Sequence, residues 1–123
     1  METTVLYLGR LLFGGYFIYG GFNHFKMLDM MSGYAKSKGV PVPKLSVAFS
    51  GLLLLIGGFS VLVNVLPSVG LVALVLFLIP VTLSMHAFWK IQEPAAKMHE
   101  MVNFMKNIAL LGAVCILLAQ TLV

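Results

Sequence analysis

Charge is what this sequence has least of. Only 10% of its 123 residues are charged, and Asp and Glu together number four. A soluble domain carries about 25% charged residues, and a chain this short has too much surface to cover with so few. Cysteine is scarcer still. Cys115 stands alone, which excludes a CxxC thiol–disulfide mechanism. Deep in the last apolar run, it reads as a buried small hydrophobe. Phosphate-binding glycine loops and hydrolase triads are absent. The acids Glu2, Asp29, Glu93 and Glu100 fall at the N-terminus or between apolar runs. That placement leaves no carboxylate at membrane depth, which proton-coupled export by a four-helix transporter needs. Eight Lys and Arg give a net charge of +4. Without a soluble face they build no phosphate-tracking groove, so nucleic acid is excluded as a partner.

What remains is apolar. Hydrophobic residues make up 60% of the chain and the mean hydropathy is +1.01. A helix needs about 20 apolar residues to cross the hydrocarbon core. Residues 4–25, 45–66, 69–89 and 102–122 meet that need. The expected fold is therefore all-α: an integral membrane four-helix bundle in a single domain over 1–123, in contact with lipid. Pro41 and Pro43 precede the second span, and Pro94 suits the first turn of a helix leading into the fourth. Pro67 and Ser68 leave room only for a tight antiparallel hairpin. Pro80 lies inside the third span and frees the carbonyl of Leu76, a defect that neighbouring helices can absorb. The first span has no early Lys or Arg and no small-residue cleavage pattern, so it reads as a retained helix and not a signal peptide.

Lys26, Lys36, Lys38 and Lys44 follow the first span, and Lys90 and Lys97 follow the third. The link between the second and third spans has no basic residue. The positive-inside rule then makes both basic loops cytoplasmic and puts both termini outside. In the first loop, Met27, Met30, Met31 and Tyr34 share one helical face. This predicts a short interfacial helix ending near Gly39, resting on the membrane as a connector. Small residues repeat at heptad spacing: Gly14 with Gly21, Ser50 with Gly57, Gly51 with Gly58. These predict left-handed packing seams.

Polar residues within the spans mark the candidate site. Arg10 lies about two turns into the first span, where a charge is costly. It either snorkels to the headgroups or faces the bundle. Asn23 and His24 close the first span; His86 and Trp89 close the third, with Thr82 one turn before His86. Asn103, Lys106 and Asn107 open the fourth. Antiparallel neighbours bring all of these to one membrane depth. Competing roles are interface anchoring for Trp and His and helix cross-linking for Asn. His24 and His86 alone make no haem motif, and adding His99 and Glu100 makes only a weak metal set, so neither haem nor metal is expected.

At these residues the chain resembles the DoxX family. The carriers are GRLLFGGYFIYGGFNHF with Arg10, YAKSKGVPVP with Gly39, SGLLLLIGG, MHAFW with His86 and Trp89, and NFMKNIALLGA with Lys106 and Asn107. Many members carry a Glu near the start of the second helix; this chain reads LSVAFSG there, so a role built on that acid does not carry over. The resemblance implies a bacterial inner-membrane protein of four helices. It also implies kinship with small subunits of quinone-linked redox complexes. The reading that follows is an accessory or anchor subunit contacting a quinone through Asn23, His24, His86, Trp89, Lys106 and Asn107. His86 or Asn107 would donate to a quinone carbonyl, Trp89 would stack on the ring, and Arg10 would anchor the opposite side. The alternatives are a non-catalytic scaffold or assembly factor, alone or as a homo-oligomer, and a small-molecule transporter. No residue pair suggests an autonomous enzyme's acid–base machinery.

Overall fold

A computed structural model describes residues 1–122. Five α-helices follow in order: α1 (Glu2–Lys26), α2 (Leu28–Ser37), α3 (Pro43–Val63), α4 (Pro67–Met85) and α5 (Pro94–Thr121), with a 3-10 turn at Phe88–Lys90. Among the described residues four helices are long and apolar enough to cross a membrane: α1, α3, α4 with its 3-10 extension, and α5. The expected all-α membrane bundle is what forms.

Proline sets the starts. Pro43, Pro67 and Pro94 each open a helix, where their missing N–H has no intrahelical acceptor to lose. Val42 and Leu66, directly before two of them, are left-handed at φ 43° and 47°. A proline ring disfavours right-handed helical geometry in the residue before it, which keeps either helix from extending back through these positions. The hairpin between α3 and α4 is Asn64–Val65–Leu66, and Pro67 and Ser68 belong to α4. The sequence boundary was therefore three residues late. The buried Ser60 hydroxyl closes this turn by donating to the carbonyls of Val65 (2.6 Å) and Leu66 (2.9 Å). Gly39, at φ +83°, ends the α2 region as expected.

Glycine sets the closest approaches. A β-carbon on Gly14 would stand 2.8 Å from the Gly58 carbonyl oxygen, and one on Gly58 would stand 2.8 Å from that of Gly14. Gly21 and Gly51 meet in the same reciprocal way. The two pairs run in opposite directions along the chain, so α1 and α3 are antiparallel with backbones touching. Gly57 and Gly70 make the corresponding contact between α3 and α4. Ser50, expected in the Gly57 seam, instead lines a cavity.

The helices pack in the order α1–α3–α4–α5, and α2 lies on α3 and touches α1. The first and last spans make no extended backbone contact with each other. They are joined through side chains: Phe17 of α1 and Val114 of α5 enter a core with Leu54, Val61, Leu71, Leu74 and Leu78. Pro80 sits within a continuous α4, where the Ser84 hydroxyl donates to the Pro80 carbonyl at 2.7 Å. Cys115 is exposed, so it faces out of the bundle and is not the buried hydrophobe that its depth suggested.

A polar cavity under the interfacial helix

Between the spans, at the end bearing α2, the bundle forms a half-open cavity of about 620 Å³. Its walls are apolar: Phe17, Leu54, Phe77, Leu78 and Val81 from three spans. Met30, Met31, Tyr34 and Ala35 of α2 complete it. The interfacial helix is thus more than a connector, because its apolar face covers the cavity.

Of the expected site residues, Asn23, His24, His86, Lys106 and Asn107 all line this space. Asn107 is the most informative. It is only 5% exposed, and its side-chain amide takes part in no hydrogen bond among the described residues. The amide is open to the cavity and has both donor and acceptor capacity free for an occupant. His24 donates from Nδ1 to the Gly20 carbonyl at 2.8 Å. That fixes the neutral tautomer and leaves Nε2 as an acceptor. Lys106 reaches across the gap from α5, with its Nζ 5.7 Å from the centre of the Tyr16 ring on α1.

Sequence reasoning set Glu100 just before the fourth span at the depth of the site and gave it no role there. Placed in a loop by that reading, it lies two turns into α5 and is only 4% exposed. Four donors surround its carboxylate. Oε1 accepts from His86 Nδ1 (3.3 Å) and Asn103 Nδ2 (3.1 Å). Oε2 accepts from the Tyr34 hydroxyl (3.1 Å) and Lys38 Nζ (3.3 Å). A buried carboxylate is tolerated only when its lone pairs are met this fully. A signal was present: Glu100, Asn107 and Val114 are one heptad apart and form the buried stripe of α5. The expectation that every carboxylate lies in a loop or at a terminus thus fails at Glu100, which stands in a membrane-length helix and contacts His86 from outside the cavity lining. Asn103 serves this network and not the cavity.

Tyr34 and Lys38 join α2 to α5 through Glu100. Partial burial, and then the hydrogen bond donated to Glu100, raise the Tyr34 hydroxyl above the ordinary tyrosine pKa. Just outside the span, Glu93 caps α5 by accepting from the backbone N–H groups of Ala95 (3.1 Å) and Ala96 (2.6 Å). These bonds lower its pKa.

Trp89 does not line the cavity. Helix α4 stops at Met85, His86 and Ala87 are non-helical, and the 3-10 turn carries Trp89 away. There it packs edge-on with Phe88 and Phe104, half-exposed. Ring stacking by Trp89 in the site is thus excluded by the break in the helix. Thr82 is buried with its hydroxyl unpaired, outside the cavity lining. Arg10 is half-buried near the other end of α1, its guanidinium 6.0 Å from the Tyr7 ring centre. Among the described residues no three His, Cys, Asp or Glu side chains converge to hold a metal.

Long apolar helices, backbone-to-backbone seams and a largely apolar cavity with a few polar groups at one end define a multi-pass α-helical membrane protein. The DoxX family model matches residues 5–87, and the chain belongs to the DoxX family. The match takes in α1 to α4 and stops before α5, so the fourth-span motif with Lys106 and Asn107 lies beyond it. Comparison with curated proteins and with solved structures returned no match.

Proposed function

We propose that this cavity binds the head group of a membrane quinone. In this reading the protein is an accessory subunit of a quinone-linked redox system in the bacterial inner membrane. The single observation that carries the reading is Asn107: an amide with no hydrogen-bond partner among the described residues, on the wall of a mostly apolar space. A quinone carbonyl is an acceptor that suits its N–H. The volume falls within the range of about 300–1,000 Å³ typical of small-molecule sites. Phe17, Phe77 and Leu78 provide apolar surface for the ring, and the open side of the cavity offers the tail a path to lipid. A purely structural scaffold would be expected to fill this rim with side chains, so the open cavity favours a ligand. The Lys-rich end that carries α2 is read as cytoplasmic.

The test is binding of decylubiquinone by the detergent-purified protein. Asn107→Leu keeps shape and removes the donor, and binding is expected to weaken about tenfold, the worth of one buried hydrogen bond. Unchanged affinity would sink the assignment. A reporter fused at the C-terminus checks orientation, with a signal expected outside the cytoplasm.

A further inference from the structure

The two histidines of the cavity are not equivalent. His24 is held by a neutral backbone carbonyl, whereas His86 is backed by a buried carboxylate. Four donors converge on Glu100, and only an ionised, acceptor-only carboxylate satisfies them all. His86 Nδ1 therefore carries the hydrogen shared with Glu100. Its Nε2, on the opposite edge of the ring, takes part in no hydrogen bond among the described residues, and His86 lines the cavity. If Nε2 gains a proton, the imidazolium charge appears 3.3 Å from a carboxylate already in place. This is the arrangement by which a carboxylate orients a histidine and stabilises its charged form.

We propose that His86 is the proton acceptor for the hydroxyl of a hydroquinone, or another phenolic head group, seated in this cavity, with Glu100 as its positioning residue. This rests on the quinone-site reading above and adds the chemistry of the reduced ligand. The step is a proton transfer alone. The ligand O–H bond breaks, an Nε2–H bond forms, and the products are a phenolate and an imidazolium; no electron moves. Other groups set its electrostatics. Tyr34 and Lys38 of α2 and Asn103 of α5 hold Glu100. Lys106 of α5 faces the same space and attracts the phenolate. The remaining titratable groups at the wall are Tyr16, Tyr19 and His24 of α1, and the polar lining from α3 is Ser46 and Ser50.

The test uses the full chain in detergent and a 4-nitrophenol bearing a decyl chain, whose ionisation is read by visible absorbance. With the probe bound, wild type is expected to ionise it at a pH about one unit lower than His86→Gln does, a tenfold change in acid dissociation. Glu100→Gln is expected to behave like His86→Gln while still binding the probe. Should Glu100→Gln misfold, as seen by gel filtration, His86→Gln decides alone. Equal ionisation in wild type and His86→Gln overturns the proposal. So does a shift that vanishes in Lys106→Met but survives in His86→Gln, because the ammonium would then be its cause. If decylubiquinone binding is intact and Asn107-dependent while the shift is missing, only the proton step fails. If neither ligand binds wild type, the quinone site fails with it.

Discussion

The two ends of this bundle are built from the same four spans and differ in what holds them. At the α3–α4 hairpin end, Gly14 meets Gly58, Gly57 meets Gly70, and the Ser60 hydroxyl ties off the turn. The Ser68 hydroxyl donates to that of Thr121 at 3.0 Å and joins α4 to the end of α5. At the α2 end, Gly21 still meets Gly51, but a cavity lies between α1 and α5, and α2 is tied to α5 through one carboxylate. Lipid tails compete well with Leu for contact, so helices in a membrane need either close backbone approach or polar links. Close backbone approach runs the length of the α1–α3 seam, from Gly14–Gly58 to Gly21–Gly51, while the link from α2 to α5 is polar. The polar end is the one with space left for a ligand.

The largest expected effect is at the tight end. Gly58→Val places side-chain atoms against backbone: a β-carbon there already meets the Gly14 carbonyl oxygen at 2.8 Å and the Ile18 nitrogen at 2.9 Å. A loss of about 3 kcal/mol or more is expected, seen as a lower detergent melting temperature or aggregation. Gly112→Ala is its control, since a β-carbon there meets nothing within 4 Å, and the change is expected to stay under about 1 kcal/mol. Equal responses at the two positions would remove the seam from the account.

The next effect is at the polar end. Glu100→Ala strands the Tyr34, His86 and Asn103 donors and leaves Lys38, whose side chain is only 23% exposed, without its anion. Solvent reaches Lys38, so the expected cost is about 2–3 kcal/mol, below that of a fully buried pair. The loss should also free α2, so trypsin is expected to cut faster at Lys36 and Lys38. Stability lost without faster cleavage would mean that Glu100 does not hold the interfacial helix in place.

The smallest effect is outside the bundle, at the start of α5. Glu93→Ala removes the helix cap. The carboxyl pKa is lowered in the folded state, so its contribution is present above the unfolded-state value and is lost as pH falls through the folded one. Wild type should therefore melt slightly above the variant at neutral pH, and the two should converge in acid. A gap that persists in acid would assign the effect to something other than the ionised cap.

Much of this was legible in the residues. The four apolar runs, the helix-opening prolines, the Gly14–Gly21 face and the gathering of His24, His86 and Asn107 at one depth all follow from local pattern. Trp89 was misplaced because the apolar run continues to it while the helix stops at Met85. Glu100 was misplaced because its position between apolar runs was read as a loop, although it keeps heptad register with Asn107. Tyr34 lies 66 residues from Glu100, and nothing in either neighbourhood pairs them.

The sequence by itself determined that the chain lives in lipid, how many helices cross it and where small residues let backbones touch. Hydropathy, helix length and heptad spacing are properties of neighbouring residues. Only the tertiary structure decided that α2 folds over a cavity, that Trp89 stays out of it, and that one carboxylate gathers groups from α2 and its end, from α5 and from the break after α4. Those depend on which distant residues share a volume, and a buried charge reveals its role only once its partners surround it.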